Sequence, residues 1–219
     1  MRVICFIALL LVLPSALGCG VAAPARPKVV VADNENEELG NETQPGGAGG
    51  ADTAGNKVES PLYKSWSGFK VGTTIVCKEV TAAGTNQTVT TITYKLLELT
   101  NSRVVVEFNA ATKYYDGHET NNPPEKLTNP RMVSLPPGQT KLEFGKPQGL
   151  LEQGEETLQA LGKEYKTKWY YAKGRTDGGD TYTRTWTSDE VPGGLIKSVY
   201  KVPARGSTST LELIEIKTP

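Results

Sequence analysis

The sequence contains very little histidine and little cysteine. His118 is the only histidine in 219 residues, and there are three cysteines. A Ser-His-acid triad therefore has one candidate base, in the polar stretch YYDGHETNNPPEK with Asp116 and Glu119 close by. A metal site needs three or four converging ligands, usually with further His or Cys residues. We interpret His118 as a solvent-exposed loop residue and predict no catalytic residue, no metal and no cofactor.

Long apolar runs are also lacking. The run from Val3 to Leu13 has eleven residues, whereas a membrane-spanning helix needs about 20. It follows Arg2 and ends at Pro14, which is typical of a secretory signal peptide. We expect residues 1–18 to be removed and the rest of the chain to cross the cytoplasmic membrane.

The cleavage region allows two interpretations of the same bond. Ala16 and Gly18 suit an ordinary signal peptidase. Alternatively, the letters ALGC resemble the lipobox of bacterial lipoproteins, which implies that Cys19 becomes the acylated first residue. Acyl chains contribute about 0.8 kcal/mol per buried CH₂, so they would anchor the protein to a bacterial membrane, facing the periplasm or the cell exterior.

The two cysteines of the mature chain are Cys19 and Cys77. If Cys19 carries lipid, Cys77 is a lone thiol; if it does not, a bridge between them is conceivable. A disulfide-built scaffold would need more cysteines than this. We favour a lone thiol and predict that Cys77 is a small buried side chain within a strand.

Composition divides the mature chain into a tether and one domain. Residues 19–60 lack aromatic side chains, are rich in Gly, Asn and acidic residues, and carry a net charge of −4. Such a segment buries too little apolar surface to fold, so we predict a disordered tether. Residues 61–219 carry +3 and are long enough for a single domain with a core. This charge is too small to suggest nucleic-acid binding.

Apolar and polar residues alternate with a period of two over most of residues 61–219. Short turn signals separate these runs, which predicts an antiparallel meander. We expect an all-β fold with little or no helix, a strongly curved sheet or half-barrel of about eight to ten strands. The runs that carry this prediction are 88–100, 103–110, 164–171, 181–187 and STSTLELIEIK, whose alternation slips at Leu213-Ile214 as a bulge would cause.

One segment fits either a helix or a hairpin. LLEQGEETLQAL, residues 150–161, places its leucines only loosely on a helical face. Gly162 and a regular strand follow at once, so the hairpin interpretation is favoured.

The stretch WTSDEVPGG has the character of a motif. Pro192-Gly193 is the pair that a type II turn requires, since Pro presets φ near −65° and Gly takes φ > 0. We predict a structural turn formed by Pro192, Gly193 and Gly194. Asp189 and Glu190 precede it, and as adjacent residues they tend to point to opposite faces. A partner-binding surface or a catalytic acid is the less favoured alternative.

This stretch, with GEETLQALGKEYKTKW before it and Trp66 and VGT (71–73) near the start of the domain, resembles a group of uncharacterised secreted bacterial lipoproteins. In that group a lipobox and a low-complexity tether precede a β-rich domain, and the resemblance implies no known activity. The architecture is also similar, remotely, to periplasmic lipoprotein carriers whose half-barrel cradles acyl chains.

Aromatic residues are the candidates for ligand binding. A curved sheet could expose some of them on its concave face and form an apolar pocket. The leading hypothesis is a non-enzymatic envelope lipoprotein that binds an apolar or amphipathic, lipid-like ligand or an envelope protein there. The alternatives are a structural or interaction lipoprotein with no ligand and, less favoured, an acid- or metal-dependent hydrolase. The candidate ligand-binding residues are Trp66, Tyr165, Trp169, Tyr171, Tyr182 and Trp186.

Overall fold

The computed structural model describes residues 57–219. The predicted signal peptide, the lipidation site Cys19 and nearly all of the predicted tether lie outside these residues. In the described part, 63% of residues lie in strands and 6% in helical turns. No helix between residues 57 and 219 has the length and apolar character needed to cross a bilayer.

Twelve strands and one short α-helix, α1 (Pro61–Ser67), follow each other along the described chain. A 3₁₀ turn, Pro203–Arg205, precedes the last strand. The strands are β1 (Lys57–Glu59), β2 (Thr74–Ala83), β3 (Asn86–Leu99), β4 (Arg103–Lys113), β5 (Glu119–Asn121), β6 (Glu125–Pro130), β7 (Met132–Ser134), β8 (Leu150–Ala160), β9 (Lys163–Thr176), β10 (Gly179–Thr187), β11 (Leu195–Val202) and β12 (Ser207–Lys217).

Ten of these strands form one antiparallel sheet. Its order is β5-β4-β3-β2-β12-β11-β10-β9-β8, with β6 also paired to β4, while β1 and β7 form a separate pair. The sheet is curved and is not closed into a barrel. The predicted all-β, antiparallel architecture is therefore confirmed. The last strand, β12, pairs with β2, and this pairing joins the two halves of the sheet.

Tight turns set the register of the hairpins. Ala160 of β8 pairs with Lys163 of β9, and the two residues between them, Leu161 and Gly162, have φ of 52° and 75°. Positive φ at both central positions defines a type I′ turn, whose twist matches that of paired strands. The hairpin interpretation of residues 150–161 is confirmed, as is the hairpin of β3 and β4.

Helix α1 begins where the sequence placed the end of the tether. The Ser60 side chain accepts a hydrogen bond from the backbone N–H of Tyr63 at 3.4 Å, and Pro61 occupies the first helical turn. Both features start helices, because they satisfy or remove backbone N–H groups that have no partner within the helix. The helix buries Tyr63 and Trp66, and β1, which precedes it, pairs with β7.

Most of the core lies on one face of the sheet, which we call the core face and which includes Ile75, Tyr94 and Leu211. Cys77 is fully buried there, opposite Ile92 on one side and Leu213 on the other. The register of β12 shifts between Leu213 and Glu215, where the sequence predicted a bulge. The bulge lets Ile216 pack against the core although the alternation has slipped.

Candidate functional site

The loop between β10 and β11 contains a tight turn at residues 191–194. The N–H of Gly194 donates to the carbonyl oxygen of Val191 at 2.8 Å, and Gly193 has φ of 74°. This is the bond and the conformation of a type II turn with Pro192 at its first central position. Gly194 also has positive φ, 79°, which the Pro-Gly pattern alone does not require.

The turn is docked against helix α1. The Gly193 N–H donates to the carbonyl oxygen of Ser65 at 3.0 Å. A Cβ atom added to Gly193 would lie 3.2 Å from the Trp66 indole. Val191 and Pro192 are fully buried. The turn therefore packs against helix α1 and holds the helix on the sheet.

Asp189 and Glu190 are exposed. The Glu190 carboxylate lies 3.8 Å from the Lys163 ammonium group, and both side chains are more than half exposed. Paired-carboxylate catalysis needs two acids held in different environments facing a cleft. Two exposed carboxylates on a loop do not provide this difference in environment.

The six aromatic residues predicted to bind a ligand fall into two groups. Trp66 belongs to helix α1 and packs in the core with 2% of its surface exposed. The other five share one face of β9 and β10, since they alternate along each strand and Trp169 pairs directly with Trp186. We call this the aromatic face; its members are Tyr165, Trp169, Tyr171, Tyr182 and Trp186.

Strand pairing shows that, at the level of Trp186, the aromatic face is turned away from the core face. Trp186 pairs with Lys197, and Lys197 pairs with Glu212, so these three side chains lie on the same side of the sheet. Leu211, the neighbour of Glu212, is 2% exposed in the core. Because adjacent residues of a strand point to opposite faces, the aromatic residues at this level do not line the core side.

Arg184 is the centre of the aromatic face. Its guanidinium carbon lies 4.3 Å from the ring centre of Trp169 and 5.0 Å from that of Trp186. Glu156 of β8 accepts a hydrogen bond from the Trp186 indole N–H and lies 3.6 Å from an Arg184 nitrogen. The cation is held between two aromatic rings and one carboxylate, an arrangement that favours a planar guanidinium over an ammonium group.

A second cluster continues the aromatic face along the strands. The rings of Tyr171 and Tyr182 stack with their centres 6.1 Å apart. The Lys173 ammonium group lies 5.9 Å from the Tyr182 ring centre and 2.7 Å from the Asp180 carboxylate. That hydrogen bond to Lys173 lowers the pKa of Asp180, and it raises the pKa of Lys173.

Burial differs along the aromatic face. Tyr165 is 2% exposed and, at the end of the face, packs in the hydrophobic core. Trp186 is 9% exposed, whereas Trp169, Tyr171 and Tyr182 are half-buried. Only the last three offer ring surface to a ligand. An open cavity of about 590 Å³ lies elsewhere, among the loop residues 136–150, and none of the five aromatic residues lines it.

Cys77 and His118 are the remaining groups that could carry chemistry. Burial raises the pKa of the Cys77 thiol to about 12, so it stays protonated at neutral pH, and only the thiolate is a nucleophile. His118 is exposed, stacks on Tyr114 and contacts Asp116 at 2.6 Å. Within residues 57–219, no group of three or more His, Cys, Asp or Glu side chains could hold a metal ion.

Sequence reasoning missed Arg184 and Glu156. Arg184 stands between Tyr182 and Trp186 in the alternation of β10, which is a signal that it shares their face. Glu156 gives no comparable signal, because its contact with Trp186 depends on the order of β8, β9 and β10 in the sheet.

No family model and no curated protein matches this sequence. Among solved structures, a protein of Bacteroides fragilis with a YmcC-like fold, assigned as exported, is 14% identical with a TM-score of 0.44, and the match covers 68% of this chain and 97% of that one. A protein of Parabacteroides distasonis assigned as a lipoprotein is 14% identical with a TM-score of 0.41, covering 68% and 96%. The lipoprotein LppX of Mycobacterium tuberculosis is 8% identical with a TM-score of 0.36, covering 67% and 87%.

These solved structures are assigned as exported proteins or lipoproteins, and this chain is similar to them over about two thirds of its length. Their identities and TM-scores are low. The fold described above therefore rests on the strand pairing of this chain itself.

Proposed function

We propose that this protein is a non-enzymatic lipoprotein of a bacterial cell envelope, anchored by lipid on Cys19, whose domain binds an apolar or amphipathic ligand or a partner on the aromatic face. The apolar run and the letters ALGC before Cys19 support the anchor. The protonated state of the buried Cys77 and the exposed positions of Asp189 and Glu190 support a role without catalysis.

One observation carries the binding proposal. Three half-buried aromatic rings, those of Trp169, Tyr171 and Tyr182, lie on one face with the cations of Arg184 and Lys173 beside them. Aromatic planes suit the apolar part of a ligand, and guanidinium or ammonium groups suit a negatively charged head group. An amphipathic, lipid-like molecule combines both.

Displacement of a hydrophobic dye tests the binding. We expect anilinonaphthalene sulfonate to bind the mature protein and palmitate or a lysophospholipid to compete it off. The double variant Tyr171→Ala/Tyr182→Ala should bind at least fivefold more weakly. The control is Tyr115→Ala, because Tyr115 is 52% exposed and lies outside the strands. Equal binding by the two variants would contradict the proposal.

The alternative of an interaction lipoprotein with no small ligand also has support in the structure. Trp66, Tyr165 and Trp186 are buried, and Arg184 already covers the rings of Trp169 and Trp186. Native and denaturing mass spectrometry on gently extracted protein separates the two functions. A bound passenger seen only in the native mass favours the ligand, and its absence favours the interaction protein.

The anchor is tested separately. The denatured mass should exceed that of the chain from Cys19 by its acyl groups, and Cys19→Ala should move the protein from the membrane fraction to the soluble fraction. An unmodified mass would make it a freely secreted protein.

A further inference from the structure

The ten-stranded sheet is open, and β8 lies at one end of it. β8 pairs with β9 on one side; among residues 57–219, no strand pairs with its other side. This edge differs from the ligand surface proposed above, because it presents backbone groups rather than aromatic rings.

The free edge of β8 is long and regular. Its register with β9 is unbroken from Glu152 to Ala160, a span of roughly 27 Å. In an antiparallel pair every second residue directs its N–H and C=O away from the partner strand. About four residues of β8 therefore present hydrogen-bonding groups that a further strand could pair with.

The opposite edge of the sheet is built differently. There β5 has three residues and β6 has six, ending at Pro130, and Pro123-Pro124 separates them. Short strands and prolines are the usual means by which proteins prevent pairing at a sheet edge. β8 contains neither proline nor lysine, so it lacks this protection.

Charge indicates what β8 would pair with. It carries Glu152, Glu155 and Glu156 and no basic residue. Glu152 pairs with Tyr171 and lies on the aromatic face, whereas Glu155 pairs with Lys168 and points to the other face. Both are exposed. Like charges placed opposite each other destabilise a strand pair, so the acids disfavour a second copy of β8 and favour a strand that carries Lys or Arg.

We propose that the free edge of β8 is a docking site for an extended, lysine- or arginine-rich segment of a partner protein, which adds to the sheet as a further strand. Main-chain hydrogen bonds supply the affinity, and the acidic side chains on both faces of the edge supply the selectivity.

Synthetic peptides test this on the mature protein. The probe is a fluorescent nine-residue peptide of Val, Thr and three Lys, and its binding is followed by anisotropy. The same peptide with Glu in place of Lys should bind at least tenfold more weakly. A peptide N-methylated at every second residue keeps the backbone N–H groups along one of its edges, so it should still pair with β8 and bind. N-methylation at every central residue should reduce binding at least tenfold.

Charge reversal locates the site. Glu152→Lys/Glu155→Lys should weaken binding of the Lys peptide at least tenfold. Glu119→Lys/Glu125→Lys makes the same change in net charge at the opposite edge and should leave binding unchanged. Hydrogen exchange should show new protection of β8 amides when the peptide is bound.

Several results would overturn the proposal. They are no binding of the Lys peptide, an equal loss in both charge variants, binding that survives complete N-methylation, or protection outside β8. A dimer in sedimentation that is lost in Glu152→Lys/Glu155→Lys would make the occupant a second copy and would overturn it too.

Discussion

Gly193 packs directly against the indole of Trp66. A Cβ at Gly193 would come within 3.2 Å of the ring, and the Gly193 N–H is bonded to the carbonyl oxygen of Ser65. Helix α1 and the loop between β10 and β11 are more than 120 residues apart in the sequence. This contact is where the start of the domain is attached to its last third.

Gly193→Val should destabilise the fold by about 3 kcal/mol, combining the strain of a positive φ with overpacking against Trp66. Chemical denaturation measures this loss. Gly84→Val is the matched control, because Gly84 has φ of 61° with nothing within 4 Å of an added Cβ; it should lose only about 1–2 kcal/mol. Equal losses would mean that the Trp66 contact contributes nothing.

Asp189→Ala/Glu190→Ala should change the free energy of unfolding by less than about 0.5 kcal/mol, since exposed ion pairs contribute little. Ser188→Ala is the contrasting variant. Ser188 is buried, and its hydroxyl accepts the Glu190 N–H at 3.3 Å, so we expect a loss of about 1 kcal/mol. A large loss in the double variant with Ser188→Ala neutral would reverse these assignments.

Stability should fall as pH rises above about 9. Burial raises the pKa of Cys77 to about 12, so the folded state keeps a proton that the unfolded chain releases. The contribution of Cys77 to the free energy of unfolding is complete below pH 9. It is lost as pH rises to about 12, at about 1.4 kcal/mol per pH unit. The pKa of Tyr94 is raised too, chiefly by burial, and acts in the same direction.

Urea midpoints at pH 7, 9 and 10.5 measure this dependence. Cys77→Val has a similar volume and should show a shallower decline, with the part due to Tyr94 remaining. An identical decline in the variant would show that Cys77 does not contribute.

Arg184→Lys should destabilise the protein by about 0.5–1 kcal/mol although the charge is kept. The guanidinium group is planar and stacks on the indole rings, whereas the ammonium group of lysine is not planar and cannot stack in this way. The tryptophan fluorescence spectrum should shift as well, since Trp169 and Trp186 lose their cover. Arg175→Lys, at an exposed position, should change neither quantity. Identical behaviour of the two variants would contradict the stacking arrangement.

Local rules predicted most of the strands. The period of two in TVTTITYKLLELT and RVVVEFNA predicted two strands, and these pair as the hairpin of β3 and β4. The slip in alternation at Leu213-Ile214 predicted a bulge, and the register of β12 with β2 shifts at this position. Helix α1 was missed although Ser60-Pro61 is a helix-start signal, because seven residues are too few for a helical period to stand out from alternation.

By itself, the sequence determined which segments are extended and where the chain turns, because alternation and the conformational limits of Pro192 and Gly193 act within a few residues. The tertiary structure alone decided which face each strand turns to the core. That depends on strand order and on the return of β12 to β2, which local spacing does not encode. For the same reason Trp169 stayed half-exposed, Arg184 came to lie against two indoles, and β8 was left at the edge. Trp66 is buried because helix α1 packs against the turn at residues 191–194.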